Sequence, residues 1–293
     1  MPQLPDEKSK ETIQQTDPPP DGKVSVIIPA YNEFERIEEN ILGCAATLAK
    51  FGYDYELVVV DDGSHDDTHL ALLRAHRCAP KQIRIIRYHQ NSGKGNALMC
   101  GSAYSNGKYV IFLDADMELS PEQIPLLFRV MKNTGCDAVI GSKRHPESNV
   151  IYPPIRRFYS TIYYALVKGL FGLPLQDTQT GLKLFRREVI EDVLPRLLAK
   201  RFAFDIELLV NAHSLGYKLI DAPVSVRFSR GFSRISASDV WAMACDTLAI
   251  FYRKYLIRYY DKMAGGRLAD MECVAVSSEL SAYPADTTRE LAK

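Results

Sequence analysis

Two aspartates, Asp114 and Asp116, follow the apolar run Tyr109–Leu113 with one residue between them. Alternate residues of an extended chain point the same way, so the two carboxylates share a face. Like charges placed together at the edge of a buried strand cost free energy unless a cation compensates them. Such a pair, with Glu118 two residues further on, suits a hard divalent cation whose other ligands are commonly phosphate oxygens. We predict that Asp114, Asp116 and Glu118 hold this ion.

A second interpretation of the same residues needs no metal. Asp116 would cap a turn, and Asp114 would pair with Lys94. A D-x-D pair is too short to distinguish the two interpretations by itself. The choice between them depends on the neighbouring motifs.

Two further polar motifs follow apolar runs. "DDGS", at Asp61–Ser64, is either an ordinary Asp-Gly turn or a source of carboxylates that bind a base or a ribose. "NSGKGNA", residues 91–97, combines glycines, a lysine and the start of a helix, which suits phosphate. The chain contains no Walker A sequence and no G-x-G-x-x-G after its first apolar run, which disfavours P-loop and dinucleotide-binding proteins.

Composition narrows the class of protein further. The 293 residues include 36 Lys+Arg and 36 Asp+Glu, so the chain has no net charge to attract nucleic acid, and it shows no stacking motif for single strands. The six cysteines form no CxxC pair, which is typical of reduced cysteines in a cytoplasmic protein. We therefore predict no nucleic-acid partner and no zinc site.

Apolar runs alternate with helical patterns along the first half of the chain. This order predicts an α/β fold, with a mostly parallel central sheet flanked by helices. Ligands of such sheets bind beyond the carboxyl ends of the strands. Three of the runs end in "PAYNE", "DDGS" and "DADME", so we expect these motifs to line one crevice.

We predict three segments in the chain. Residues 1–22 form a disordered leader without the apolar core of a signal peptide, residues 23–262 form one domain, and residues 263–293 form a loose polar tail. No stretch is long and apolar enough to predict a transmembrane helix.

Four motifs in order, "VSVIIPAYNEFERI", "ELVVVDDGSHDDT", "NSGKGNAL" and "YVIFLDADMELSPEQI", resemble the family 2 inverting glycosyltransferases of the GT-A fold, and the resemblance covers residues 24–258. It implies a nucleotide-sugar donor and a divalent cation, Mg²⁺ or Mn²⁺, held by the D-x-D. The nucleotide contacts that we expect from it are Pro29, Ala30, Tyr31, Glu33, Asp61, Asp62, Lys94, Asp114 and Ala115.

The second half of the chain resembles a narrower group. "DTQTGLKLF" and "FAFDIELL" are similar to motifs of the dolichyl-phosphate mannose and glucose synthases, and closer to the glucose branch. This implies transfer of one hexose, from UDP-glucose first and GDP-mannose next, to a polyprenyl phosphate. Glu118 stands where the mannose synthases often have glutamine, and a carboxylate can still coordinate a metal.

A phosphate acceptor changes what the catalytic residues must do. A phosphate monoester is already anionic near pH 7, so it needs cations to position it rather than a strong base. The resemblance implies acceptor-phosphate contacts from Lys143, Arg157, Ser160, Arg230 and Arg234. We assign catalytic functions to Arg157, Arg230 and Asp177.

An acceptor hydroxyl would instead require a carboxylate base. Asp177 and Asp205 are the candidates for that base. Asp205 and Glu207 also open an apolar helix, where acids are stabilised by the helix dipole.

Two segments bear on membrane binding. Residues 158–173 and 240–260 are rich in aromatic and aliphatic residues with interspersed cations, which is typical of interfacial helices and also of core helices. We expect a peripheral enzyme on the cytoplasmic face of a membrane, of undetermined oligomeric state. The alternatives are a family 2 transferase that uses a soluble or polysaccharide hydroxyl, and a non-catalytic nucleotide-sugar-binding protein.

Overall fold

The computed structural model describes residues 18–150, 154–199, 203–226 and 237–262, with side chains described for all of these except 154–159 and 237–242. The strands are β1 Val24–Ala30, β2 Tyr55–Asp61, β3 Ile83–Arg87, β4 Tyr109–Phe112, β5 Ala138–Ser142, β6 Lys183–Arg186 and β7 Leu219–Pro223. The helices are α1 Ile37–Lys50, α2 Thr68–Cys78, α3 Lys94–Ala103, α4 Ile124–Thr134, α5 Pro154–Phe171, α6 Arg187–Val193, α7 Phe204–Ser214, α8 Ala237–Phe251 and α9 Tyr259–Lys262. Short 3₁₀ turns lie at Pro121–Gln123 and Leu194–Arg196, and a π-helical turn at Tyr252–Leu256 joins α8 to α9.

All these strands form one sheet in the order β3-β2-β1-β4-β6-β5-β7. Every pairing is parallel except those of β6, which runs antiparallel to β4 and to β5. The predicted α/β fold with a mostly parallel sheet is therefore confirmed. β6 was not predicted as a strand, because its four residues are too few to show a periodicity.

Helices cover both faces of the sheet. Side chains alternate between the faces along β1, so that Ile27 packs in a core with α3, α5, α6 and α7, while Val26 and Ile28 pack in a second core with α1, α2 and α4. With both faces buried, a ligand can reach the strands only at an edge formed by their ends.

The carboxyl ends of β1, β2 and β4 meet at one such edge. Ala30 at the end of β1 pairs with Asp61 at the end of β2, and Ile27 pairs with Phe112 at the end of β4. β1 lies between the other two strands, so the three motifs that follow them are direct neighbours. The predicted convergence of the motifs is thus present in the fold.

The predicted leader and tail lie mostly outside the described residues. Residues 18–22 are described, and Asp21 lies 3.5 Å from the Lys108 ammonium. Within the part of the chain that the structure describes, no helix has the length and apolar character needed to cross a bilayer.

Candidate active site

A cavity of about 580 Å³ opens at the edge where β1, β2 and β4 end. It is lined by Pro29, Ala30, Tyr31, Glu33, Asp62, Asn91, Gly93, Lys94, Asp114, Ala115, Asp116, Gln179 and Asp205. Apart from Asp61, every nucleotide contact expected from the sequence is among these residues. The geometry is therefore compatible with the predicted nucleotide site, which remains a prediction.

The two aspartates after β4 face this cavity and already have partners. Asp114 Oδ1 lies 2.5 Å from Lys94 Nζ. Asp116 Oδ1 accepts a hydrogen bond from the Glu118 backbone N–H at 3.1 Å. These are the two contacts of the metal-free interpretation.

The pKa values of the two aspartates are shifted in opposite directions. Burial raises the pKa of Asp116, and the negative charge of Asp114 raises it further. Burial also acts to raise the pKa of Asp114, but the Lys94 ammonium outweighs it and the net shift is downward. Lys94 therefore compensates one carboxylate of the pair, and a second cation would stabilise the other.

The donor set fits a divalent ion of the Mg²⁺ or Mn²⁺ type. Such an ion takes one or two carboxylates from the protein and completes its shell with water and phosphate oxygens. Among the described residues, no three Asp, Glu, His or Cys side chains converge on one point. Glu118, the predicted third ligand, has its Oε2 3.9 Å from Lys143 Nζ. That Asp114, Asp116 and Glu118 hold the ion therefore remains a prediction.

Asp62 shapes the loop opposite the two aspartates. Its two carboxylate oxygens accept hydrogen bonds from the backbone N–H groups of Ser92 and Gly93, each at 2.8 Å. Gly93 has φ 96°, a left-handed conformation that favours glycine, and Lys94 then begins α3. Asp62 therefore holds the loop that delivers Lys94 and the amino end of a helix to the cavity.

Asp61 lies below the cavity rather than in its wall. It is fully buried, and its Oδ1 accepts a hydrogen bond from the Ser64 backbone N–H at 2.9 Å. Its Oδ2 faces Arg87 Nε at 3.3 Å. Asp61 therefore stabilises the turn and does not line the cavity, and the nucleotide contact expected of it remains a prediction.

Asp205 and Gln179 line the cavity from the second half of the chain. Sequence reasoning weighed Asp205 only as a base or as a helix-dipole acid, and it assigned nothing to Gln179. The Asp205 Oδ1 is 2.6 Å from the ammonium of Lys183, which is 1% exposed and also donates to the Thr180 carbonyl. A lysine inside the apolar run "LKLF" was the available signal, since a buried cation requires a partner.

Gly181, next to Thr180, brings the backbone against the Asp114 carboxylate. A Cβ atom at this position would overlap the Asp114 carboxylate. The segment between Asp177 and Lys183 therefore packs directly on Asp114, although it lies more than sixty residues further along the chain.

Replacing Lys183 by methionine should destabilise the fold strongly. Removing one partner of a buried ion pair leaves Asp205 uncompensated, and such changes cost about 3–5 kcal/mol. Urea denaturation followed by circular dichroism measures the loss. Lys108→Met is the matched control, because the Lys108 pair with Asp21 is exposed and should contribute far less. Equal losses in the two variants would contradict the assignment.

Asp177 lies outside the wall of the large cavity. Its Oδ2 accepts from the Lys143 backbone N–H at 3.1 Å, and its Oδ1 accepts from the Gln179 backbone N–H at 3.0 Å. Both oxygens thus hold the loop, and the catalytic function expected of Asp177 remains a prediction. Asp205, in contrast, does line the cavity.

The predicted acceptor-phosphate residues are only partly described. Ser160 Oγ accepts a hydrogen bond from Arg144 Nη1 at 3.0 Å, and Lys143 lies near Glu118. The backbone of Arg157 belongs to α5, but its side chain is outside the description. Arg230 and Arg234 lie outside the described residues altogether.

The stability of the fold should depend on pH through Asp221, whose side chain accepts a hydrogen bond from the backbone N–H of Gln176, next to Asp177. Burial raises the pKa of Asp221 to about 6, the backbone N–H of Gln176 opposes the shift, and the charge of Asp177 adds to it. A raised acid pKa means that the folded protein loses stability as pH rises through about 6. The melting temperature of Asp221→Asn minus that of the wild type should therefore increase from pH 5 to pH 8. A difference that is flat or decreasing over this range would contradict the assignment.

Comparison with known proteins identifies the family of this chain. The family model described as "Glycosyl transferase family 2" matches residues 25–194, more than half of the sequence. The chain belongs to glycosyl transferase family 2. The predicted family and the predicted enzyme class, a glycosyltransferase, are thereby confirmed.

Relatives of this family 2 glycosyltransferase cover most of its length. A dolichyl-phosphate beta-glucosyltransferase of Trichomonas vaginalis is 30% identical over 283 residues, covering 92% of this chain and 82% of the relative. A dolichyl-phosphate beta-glucosyltransferase of Saccharomyces cerevisiae is 32% identical over 256 residues, covering 81% of this chain and 76% of the relative.

Solved structures confirm that the transferase has the GT-A fold. Glucosyl-3-phosphoglycerate synthase from Mycobacterium tuberculosis, crystallised with Mn²⁺, UDP and glucosyl-3-phosphoglycerate, superposes with a TM-score of 0.61. The match covers 80% of each chain at 23% identity. At this level of identity the likeness establishes the fold alone.

Proposed function

We propose that this glycosyltransferase moves one glucose from UDP-glucose to a polyprenyl phosphate of the dolichyl type, with inversion at the anomeric carbon. The observation that carries the proposal is the single cavity in which the nucleotide motifs, Lys94 and the Asp114–Asp116 pair meet. The choice of sugar and acceptor is supported by the two dolichyl-phosphate beta-glucosyltransferases at 30% and 32% identity. GDP-mannose is the next donor to consider.

The donor would lie along the cavity in three parts. The nucleoside binds between the end of β1 (Pro29–Glu33) and the loop held by Asp62, and the diphosphate binds at Lys94 beside the aspartate pair. The sugar then lies beside Gln179 and Asp205, which line the remaining wall of the cavity. A divalent ion, when bound, acts as a Lewis acid that stabilises the negative charge of the departing UDP.

The protein needs no strong base for this reaction. The acceptor phosphate is already an anion, so the protein must bring it to the sugar and balance its charge. Two cations, Lys143 and Arg144, follow β5. Lys143 lies close to Gln179, because the Asp177 carboxylate accepts hydrogen bonds from the backbone N–H groups of both residues. We retain Arg157, Arg230 and Arg234 as proposed further cations for the acceptor.

An exposed apolar surface supports a position on a membrane. Within ten residues, five large apolar side chains are between 37% and 61% exposed: Leu248, Tyr252, Tyr255, Leu256 and Ile257. The exposed cation Arg258 follows directly, and Lys262 is exposed further on, beside the exposed acid Asp261. Apolar side chains beside cations are typical of segments that lie in the lipid interface. We propose that this apolar surface rests on the cytoplasmic leaflet, where a polyprenyl phosphate would be presented.

Replacing Leu256 by aspartate should weaken membrane binding. The change puts a charge on the most exposed apolar residue of the surface, which is 61% exposed, and removes apolar area from the lipid contact. Co-sedimentation with vesicles of phosphatidylcholine and phosphatidylserine measures the effect, and we expect a several-fold loss. Leu70→Asp, at a 45% exposed site on α2, is the control that should bind as the wild type does. Equal binding by all three proteins would contradict the surface assignment.

Asp205 favours one alternative function. Because this carboxylate lines the cavity, it could act as the base for an acceptor hydroxyl, as a soluble or polysaccharide acceptor would require.

A transfer assay tests the proposed function against this alternative. The protein is incubated with Mn²⁺, radiolabelled UDP-glucose or GDP-mannose, and either dolichyl phosphate in detergent or a water-soluble oligosaccharide, and label is counted in the organic phase and on the oligosaccharide. We expect organic-soluble label from UDP-glucose, and none when dolichol replaces dolichyl phosphate. Label that appears only on water-soluble acceptors would establish the alternative, and no transfer from either donor would overturn the proposal.

A further inference from the structure

A second and smaller cavity, of about 50 Å³, adjoins the donor cavity beside α5. Tyr163, Val167 and Leu175 form its apolar wall, and Arg144 and Lys168 are its cations. The volume corresponds to a few water molecules and therefore suits a group as small as a phosphate. A long chain attached to such a group would have to continue outside the cavity.

The two cations lie around one aromatic ring. The Arg144 guanidinium is 4.7 Å from the Tyr164 ring centroid and donates from Nη1 to Ser160 and from Nη2 to Thr161. Lys168 Nζ donates to the Tyr164 hydroxyl at 3.0 Å. These contacts hold the two positive charges in place at the cavity. None of the contacts is with a carboxylate.

The one acid in the wall of the small cavity, within the described residues, is Asp177. Both of its oxygens accept backbone N–H groups, from Lys143 and Gln179. Its charge is thus directed toward the loop backbone, and the cations outnumber it in the cavity wall. An anion is the ligand class that this balance favours.

Gln179 belongs to the walls of both cavities. Its backbone N–H is fixed by Asp177, while its side-chain Nε2 is buried and has no hydrogen-bond partner among the described residues. A buried donor without an acceptor costs free energy, which an acceptor placed at the boundary between the cavities would recover.

We propose that the Gln179 amide donates a hydrogen bond to the acceptor phosphate, which enters from the small cavity and attacks the sugar held in the large one. This inference rests on the proposed function and specifies how the acceptor is oriented. An oxygen of the phosphate dianion forms the bond to the anomeric carbon. The bond from that carbon to the UDP oxygen breaks, and its electron pair leaves with UDP. No proton has to be removed from the acceptor.

Gln179→Glu tests this placement, because it replaces the donor with a group of the same size that repels phosphate. We expect the KM for dolichyl phosphate to rise about tenfold or more, while the Kd for UDP with Mn²⁺, measured by calorimetry, stays within about twofold of wild type. Gln179→Ala should raise the same KM by less, since it removes the donor without adding a charge. Gln82→Glu, at the amino end of β3, is the matched control and should leave both constants unchanged.

The outcomes separate the two proposals. An unchanged acceptor KM in Gln179→Glu overturns the inference while the proposed function stands. A loss of UDP binding that matches the loss of transfer also overturns it, because Gln179 would then act on the donor. If wild-type protein transfers no sugar to lipid phosphate, both proposals fail together.

Discussion

Replacing Asp114 by asparagine is expected to reduce kcat by about 10²–10³-fold, the loss typical when one group that stabilises transition-state charge is removed. The substitution keeps the size of the side chain and removes the charge that faces Lys94 at 2.5 Å. It thereby removes the carboxylate that we place on the metal and leaves the Lys94 ammonium beside a neutral amide. Steady-state kinetics with UDP-glucose and Mn²⁺ measures the effect.

A second readout separates this function from a folding defect. The affinity for Mn²⁺ in the presence of UDP, measured by electron paramagnetic resonance, should be lower in Asp114→Asn and also in Asp116→Asn. Asp54→Asn, an exposed position in the turn before β2, is the control and should retain wild-type values in both assays. A threefold change in kcat corresponds to a change of under about 1 kcal/mol in the activation free energy. If the kcat of Asp114→Asn stayed within about threefold of wild type, the assignment would be wrong.

Replacing Gly181 by alanine should reduce kcat almost as much as Asp114→Asn does, although Gly181 has no side chain that could take part in the reaction. Its Cβ would overlap the Asp114 carboxylate, so the carboxylate or the 180–181 backbone must shift. A displacement of about 1 Å in a catalytic group can cost about 10²-fold in rate. We expect a loss of that size in kcat, together with weaker Mn²⁺-dependent binding of UDP.

Gly43→Ala is the matched control for this variant. A Cβ at Gly43, within α1, meets no atom within 4 Å. Alanine is favoured over glycine inside a helix by about 1 kcal/mol, so this variant should melt slightly higher than wild type and remain fully active. Wild-type activity in Gly181→Ala would show that Asp114 need not occupy its present position.

The strands β1, β2 and β4 and the three motifs at their ends were predictable because each is a local pattern. A buried parallel strand appears as an apolar run, and its carboxyl end is where polar residues gather, so Tyr31, Asp62 and Asp114 could be placed together from the sequence. The function of Asp61 could not be placed in this way. Whether the carboxylate at the end of β2 faces the cavity or lies beneath the turn depends on Ser64 and Arg87, which no periodicity reveals.

The contacts of the far wall of the cavity could not be predicted, for a different reason. Gln179, Gly181 and Asp205 reach the site through β6, a four-residue antiparallel strand inserted between β4 and β5, and through the start of α7. Contacts between segments this distant follow from the order of strands in the sheet. The resemblance to known transferases pointed to these segments, but it could not give their contacts.

Lys94 links the metal-free and metal-bound interpretations of the D-x-D pair. In the protein described here it compensates Asp114, so the like-charge cost falls mainly on Asp116. Under the proposed function, Lys94 would contact phosphate oxygens of the donor, and a divalent ion would compensate the carboxylates in its place. The two interpretations would then describe two states of one site.

A crystal of the protein grown with Mn²⁺ and UDP tests the central claim most directly, because anomalous scattering locates the metal without assumptions about its ligands. The account predicts one Mn²⁺ bound by Asp116, Asp114 or both and by oxygens of the UDP diphosphate, with the uridine beside Tyr31 and Asp62. A metal or a nucleotide bound away from the cavity at the ends of β1, β2 and β4 would contradict it.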